Sequence, residues 1–300
     1  MTDSQNRQPC YDLHSHTNCS DGVLTPRELV RRAVARGVNI LAITDHDVTT
    51  AISPALEEAA RSGLCLVPGV EISVTWGKYL IHIVGLNIDP QCGVLQEGLH
   101  GIRQTRVGRA EQMARKLAGL GFPDALSGAG SLAQGDVISR SHFARYLVQL
   151  GAVRDFQTAF RRYLSQGKPA YVSCQWAPLD EAVGWIRQAG GQAVIAHPAR
   201  YRLGRQRLQI LAEEFKAAGG EALEVVSSAH SAAENRQMAE LACQTGLLAS
   251  TGSDFHTPDA HWAELGSMPA LPRQCRPVWD NWPAVTPETA GQAVAGFHRA

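Results

Sequence analysis

At 300 residues, with 44% hydrophobic and 19% charged side chains, the chain can bury a large core and has none of the bias of a disordered or fibrous protein. A formal net charge of zero excludes the broad basic field that draws proteins onto DNA or anionic membranes, so an anionic substrate must be attracted locally. No apolar run approaches the roughly 20 residues of a bilayer span, and MTDSQNRQPC lacks the hydrophobic stretch of a signal peptide, so a cytoplasmic protein is expected.

In chain order, CYDLH reads as a short strand and TPRELVRRAVARG as an amphipathic helix, with Thr25 at the N-cap, Pro26 and Glu28 in the first turn and Gly37 at the stop. NILAIT follows as a buried strand, SPALEEAARSG as a helix opened by Ser53 and closed by Gly63, and LCLVPGVEIS as a third strand. After a turn at Trp76 to Lys78, YLIHIVGLNI gives a fourth. From LDEAVGWIRQAGG onward, helices alternate with the strands QAVIAHP, ALEVVSS and LLAST. This alternation implies a parallel sheet, and the number of units implies closure into an α/β barrel. Residues 99–170 break the rhythm with helical patterns and are expected to form an inserted helical cap, after which GKPAYVS resumes the barrel. The barrel then comprises 1–98 and 171–268, and the Pro- and Trp-rich residues 269–300 form a tail packed on its wall. Seven scattered cysteines, none in C-x-x-C spacing, argue against a disulfide framework and against a thiolate zinc site.

The chemistry concentrates where strands end, which in α/β barrels is where active sites are built. His14 and His16 stand two apart and so point to one side of the chain. Asp21 follows in the next loop, His46 comes after the second strand, Glu71 ends the third and His82 lies in the fourth. His197 ends QAVIAHP, and Asp254 with His256 follows LLAST. Six of the eleven histidines thus gather with three carboxylates, a set that is costly to bury unless metal is bound. Imidazole and carboxylate without thiolate suit a catalytic site of two or three divalent ions, with Mn2+ the first expectation and Zn2+ or Fe2+ as alternatives. Phosphate is the natural guest of such a cationic pocket.

The motifs DLHSHTNCSDG, ITDHD, PGVEIS, HIVG, AHP and GSDFH, in this order over residues 11 to 256, resemble the metal motifs of the PHP (polymerase and histidinol phosphatase) family. The resemblance implies a distorted seven-stranded β/α barrel. It also implies a first ion on His14, His16, Glu71 and Asp254, a second on Glu71, His82 and His197, and a third on Asp21, His46 and His256. The inserted R-x-x-R-x-x-R, ISRSHFARYL, GKPAYVS and AHPARY resemble the branch of 3′,5′-nucleoside bisphosphate phosphatases, which is related to bacterial 5′-to-3′ exoribonucleases. That branch implies a nucleotide substrate, with short RNA as a further one, and no obligate protein partner. Histidinol-phosphate phosphatase and a non-catalytic PHP module are the alternatives.

For the substrate, Arg103 and Arg106 share one helix face, which serves equally as a solvated basic face. Ser139, Arg140 and His142 in SRSH, Lys168 in GKPAY and Arg200 after AHP are further candidates, beside Asp21, to hold phosphate. Glu71, Asp254 and His230 are the catalytic candidates, His230 as a proton source.

Overall fold

The structure is a computed structural model that describes residues 9–135, 137–280 and 282. Its elements in chain order are β1 (Tyr11–Asp12), α1 (Pro26–Ala35), β2 (Ile40–Ile43), α2 (Ile52–Ser62), β3 (Cys65–Trp76), β4 (Tyr79–Leu86), α3 (Gly93–Ala118), α4 (Ala125–Leu132), α5 (Arg140–Gln149) and α6 (Phe156–Ala159). They continue with β5 (Ala177–Pro178), α7 (Leu179–Gln188), β6 (Gln192–Ile195), α8 (Arg205–Ala217), β7 (Ala222–Ser227), α9 (Ala232–Thr245) and β8 (Leu248–Gly252).

Local chemistry accounts for the helix ends. The Thr25 hydroxyl accepts from the Glu28 N–H at 3.3 Å while the Glu28 carboxylate accepts from the Thr25 N–H at 2.8 Å, closing the expected capping box on α1. Ser53 does not open α2. The helix starts at Ile52 behind Ala51, which offers no side-chain cap, and Ser53 falls in the first turn. Gly63 does end α2, at φ 68°, in the left-handed region that glycine enters without strain.

The strands pair in the order β1-β2-β3-β4-β6-β7-β8, with β5 added against β3. Backbone hydrogen bonds from Leu13 to Thr251 and from His16 to Phe255 join the two ends, so seven strands nearly close a barrel. The sheet is not wholly parallel as alternation implies. β4 runs antiparallel to both β3 and β6, because only Gly77 and Lys78 separate it from β3, far too few residues for a crossover. GKPAYVS also fails to form a strand: residues 165–176 are turns and unpaired chain, and pairing resumes only at Ala177.

Alternation sorts the side chains into two layers. Leu41 and Ile43 of β2 pack outward against Leu29, Val30 and Ala55 of α1 and α2. Ile40, Ala42, Cys65, Val67, Val84, Leu86, Val194 and Ala222 form the barrel floor. Glu71 follows Val67, His82 precedes Val84 and Glu224 follows Ala222 on the same faces, so the parity that builds the floor carries these polar side chains to the mouth. Between β4 and β5, α3 to α6 gather their own apolar cluster around Met113, Leu117, Phe143 and Leu147, and α6 runs on into a π-helical turn at Phe160–Leu164. Residue 99, the expected start of the insert, lies inside α3. In the expected tail, Val278 bonds back to Ala249 and Trp279 stacks on Tyr11 at 4.0 Å, while 281 and 283–300 lie outside the described residues.

Candidate metal centre

All nine side chains singled out in the sequence meet at the mouth of the barrel. His14, His46, His197 and Asp254 each sit within three residues of the C-terminal end of a strand, as barrel geometry demands. Glu71 does not end its strand. β3 extends to Trp76, and Glu71 enters the centre because β2 stops at Ile43 and leaves the upper half of β3 bridged to the loop at His46. His82 pairs with Ser73 across the hairpin and shares the inward face of Glu71.

The Glu71 carboxylate is the hub. His82 Nδ1 lies 2.9 Å and His197 Nε2 3.0 Å from its Oε1, with His14 Nε2 at 3.4 Å; His46 Nδ1 lies 2.8 Å and His16 Nε2 3.4 Å from Oε2. Asp254 Oδ1 stands 3.2 Å from His16 Nε2, and Asp21 Oδ1 3.2 Å from His256 Nε2. His46 Nδ1 and Glu71 Oε2 are at hydrogen-bond distance yet neither makes a hydrogen bond, and buried Asp21 Oδ1 is equally without a partner. Buried lone pairs that converge without a protein partner fit a bound cation. The donors fall into four sets, each spanning no more than 4.8 Å: His16, Asp21, His46 and His256; His14, Glu71 and His197; His14, His16 and Asp254; and His46, Glu71 and His82. His16 thus stands with the Asp21 group as well as with His14, a wider sharing than the partition implied by the motifs.

Burial opposes the charge on Glu71, but His82, His46 and His14 hold its carboxyl well below the usual range. Burial and the neighbouring His256 push His16 down to about 3. His256 itself rises to about 9, because Asp21 and Asp254 outweigh its burial. The backbone is strained at the same place: His197 has φ 29° and Asp254 φ 53°, a region costly for side chains other than glycine.

A supporting layer surrounds these donors, of which the sequence marks Asp45, beside His46 in ITDHD, either as a support for the ligands or as a polar rim residue, and gives no sign of Glu224. Glu224, buried in β7, lies 2.6 Å from His14 Nδ1 and accepts from the His197 backbone N–H at 2.5 Å. Asp47 accepts from the Ser73 N–H at 2.7 Å and from Arg106 Nε at 2.7 Å, tying the cap to the barrel. Asp45, beside His46, accepts from Thr17 and Ser20 and braces the first loop. Ser141 donates to Asp21 at 2.9 Å.

The substrate candidates divide. Arg103 donates to the Asp47 carbonyl and Arg106 is buried in its ion pair with Asp47, so both already have protein partners. Ser139 caps α5 and its hydroxyl reaches Asp21 at 3.4 Å, while His142 Nδ1 accepts from the Ser139 N–H at 3.0 Å. Arg140 lies over the Phe160 ring at 5.7 Å, and burial followed by the charges of Arg106 and Arg200 depresses its pKa despite the opposing pull of Tyr171 and Asp21. Burial and then Arg140 and Arg106 push Arg109 down to about 10. Arg200 pairs with Asp254 Oδ2 and stays half exposed. Lys168 is exposed on the turn after the π-helical segment. His230 is buried with both ring nitrogens unpartnered.

A PHP domain model matches residues 12–121. A 3′,5′-nucleoside bisphosphate phosphatase of Chromobacterium violaceum is 49% identical over 89% of this chain and 94% of its own length. The chain belongs to the PHP family. The 5′-3′ exoribonuclease Rnm of Escherichia coli is 48% identical over 91% of this chain and 93% of its own. An amidohydrolase from Chromobacterium violaceum, solved with bound sulfate and no metal, superposes with a TM-score of 0.87 at 49% identity, over 90% of this chain and 94% of that one. The PHP motifs read in the sequence are the segments that carry the nine converging donors, and the nearly closed seven-stranded barrel is the fold that brings them together.

Proposed function

We propose that this PHP protein is a metal-dependent phosphoesterase that removes the 3′-phosphate of nucleoside 3′,5′-bisphosphates, as in adenosine 3′,5′-bisphosphate to AMP, and that it also trims short RNA from the 5′ end. The observation that carries this reading is that two guanidinium groups stand beside the nine-donor centre: Arg200 pairs with Asp254, and Arg140 lies between Ser139 and Ser141, whose hydroxyls reach Asp21. One phosphate on the centre and a second on the cations is the arrangement that a bisphosphate satisfies and a monophosphate does not.

His14, His16, Glu71 and Asp254 would hold one ion, Glu71, His82 and His197 a second, and Asp21, His46 and His256 a third. Divalent ions bound there supply positive charge to the phosphoryl oxygens and acidify water. Donors of nitrogen and oxygen without thiolate suit Mn2+, Zn2+ or Fe2+, and Mn2+ is the ion proposed. Arg140 and Arg200, with Lys168 at the outer edge, grip the second phosphate, and Arg103 and Arg106 keep the Asp47 turn in place behind them. Ser139 and Ser141 fasten α5 to Asp21, and with it the cap of residues 99–170 over the mouth. His230 donates a proton to the leaving 3′ oxygen. A cytoplasmic location fits a nucleotide substrate, and no helix among the described residues is long and apolar enough to cross a membrane.

The two relatives stand at nearly equal identity, so their names alone do not separate mononucleotide from oligonucleotide substrates. Phosphate release with Mn2+ from nucleoside bisphosphates, mononucleotides and histidinol phosphate, together with nucleotide release from oligoribonucleotides, tests the proposal. Preference for the bisphosphate supports it, and preference for histidinol phosphate refutes it.

A further inference from the structure

Among the described residues, Glu224 is the buried carboxylate that stands outside all four donor sets yet touches two of their histidines. It comes from β7, whose apolar stretch around it carries no motif, and it is 1% exposed. Its Oε1 lies 2.6 Å from His14 Nδ1, and the Nε2 of the same ring faces His16, Glu71 and Asp254 at 3.1, 3.4 and 3.6 Å. A carboxylate oxygen accepts, so His14 presents Nδ1 as N–H to Glu224, and as a neutral ligand it would offer its Nε2 lone pair to the centre. The second oxygen, Oε2, accepts the His197 backbone N–H at 2.5 Å, and His197 is the residue held at φ 29°. A charge-assisted hydrogen bond of this kind holds a strained backbone that would otherwise relax and swing the imidazole out of place.

We propose that Glu224 is a positioning residue for the metal centre: one oxygen fixes the His14 tautomer, the other clamps the His197 backbone, and two ligands from distant parts of the chain are thereby set by a single carboxylate. This rests on the reading of the nine side chains as metal ligands. Glutamine is the sharpest substitution because it keeps the shape and replaces one acceptor with a donor. Turned one way, its NH2 faces the His197 N–H and the clamp is lost. Turned the other way, it faces His14 Nδ1, and the His14 proton moves to Nε2, where it blocks ligation.

Mn2+ titration of the metal-free protein, read by elemental analysis and by equilibrium binding, tests this without any assay of turnover. Glu224→Gln is expected to weaken binding of at least one ion by about 10- to 100-fold, while the circular dichroism and unfolding midpoint of the metal-free protein stay close to wild type. A Glu224→Gln protein that takes up the wild-type number of ions at wild-type affinity overturns the proposal alone. A wild-type chain that takes up no Mn2+ overturns the metal-centre reading and this proposal with it. If Glu224→Gln does not fold, nitrogen-15 NMR of the histidine rings in the Zn2+-loaded wild type decides: His14 protonated at Nδ1 and ligating through Nε2 is expected, and ligation through Nδ1 contradicts it.

Discussion

At the scale of single residues, the nine converging donors were legible because histidine and carboxylate pairs at strand ends have few other physical reasons to exist. Glu224 was not, because a carboxylate flanked by Leu223, Val225 and Val226 gives no spacing signal and reveals its partners only when β7 lies beside His14 and His197. Glu71→Gln preserves shape but removes the negative charge at the hub of five histidines. Its Mn2+ content and its turnover are expected to fall at least about 10-fold with the fold retained; normal Mn2+ content in that variant would remove Glu71 from the centre. Gly252 is constrained by approach rather than dihedral freedom, since a Cβ there would stand 2.3 Å from His14 Cβ and 2.8 Å from His14 N. Gly252→Ala is therefore expected to push the first strand away, lowering both thermal midpoint and metal content, where a tolerant site would leave both unchanged.

Among the elements, the sequence pattern located most strands and helices but misjudged how they join. The βα rhythm implied parallel pairing throughout, while a two-residue turn forces β4 to reverse, and that reversal is what lets His82 face Glu71 across a hairpin. The loop leaving β8 shows a second device. Glu264 is held by Arg32 of α1 and by Arg36 just past its end, with Nη2 contacts at 2.6 and 2.5 Å, and these hydrogen bonds outweigh its burial and pull its carboxyl down to about 2. A carboxylate depressed on folding stabilises the native state fully above its unfolded pKa of roughly 4.3 and loses that contribution as pH falls toward 2. Urea unfolding should thus find Glu264→Gln less stable than wild type at pH 7, with the gap narrowing at pH 3; a gap of constant size would show that the charge of Glu264 contributes nothing.

Across the molecule, a chain of zero formal net charge brings Arg106, Arg109 and Arg140 of the cap near one another, and selectivity should reside there. The sequence offered Arg103 and Arg106 beside the preferred Arg140, Lys168 and Arg200, since helical spacing cannot say which guanidinium Asp47 will take. If Arg140 anchors the second phosphate, Arg140→Ala lowers kcat/KM for a nucleoside 3′,5′-bisphosphate by roughly 10- to 150-fold, the equivalent of ~1.5–3 kcal/mol for one charge-assisted contact, and affects a 3′-monophosphate far less. Equal losses on both substrates would exclude Arg140 from that role. Metal-dependent removal of the 3′-phosphate, on which the rest depends, is tested by stripping the purified protein with a chelator, measuring phosphate release from adenosine 3′,5′-bisphosphate, and repeating the measurement after Mn2+ is restored. Activity is expected to disappear with the metal and return with it, yielding AMP and phosphate; full activity in the metal-free protein would contradict a metal-dependent phosphoesterase.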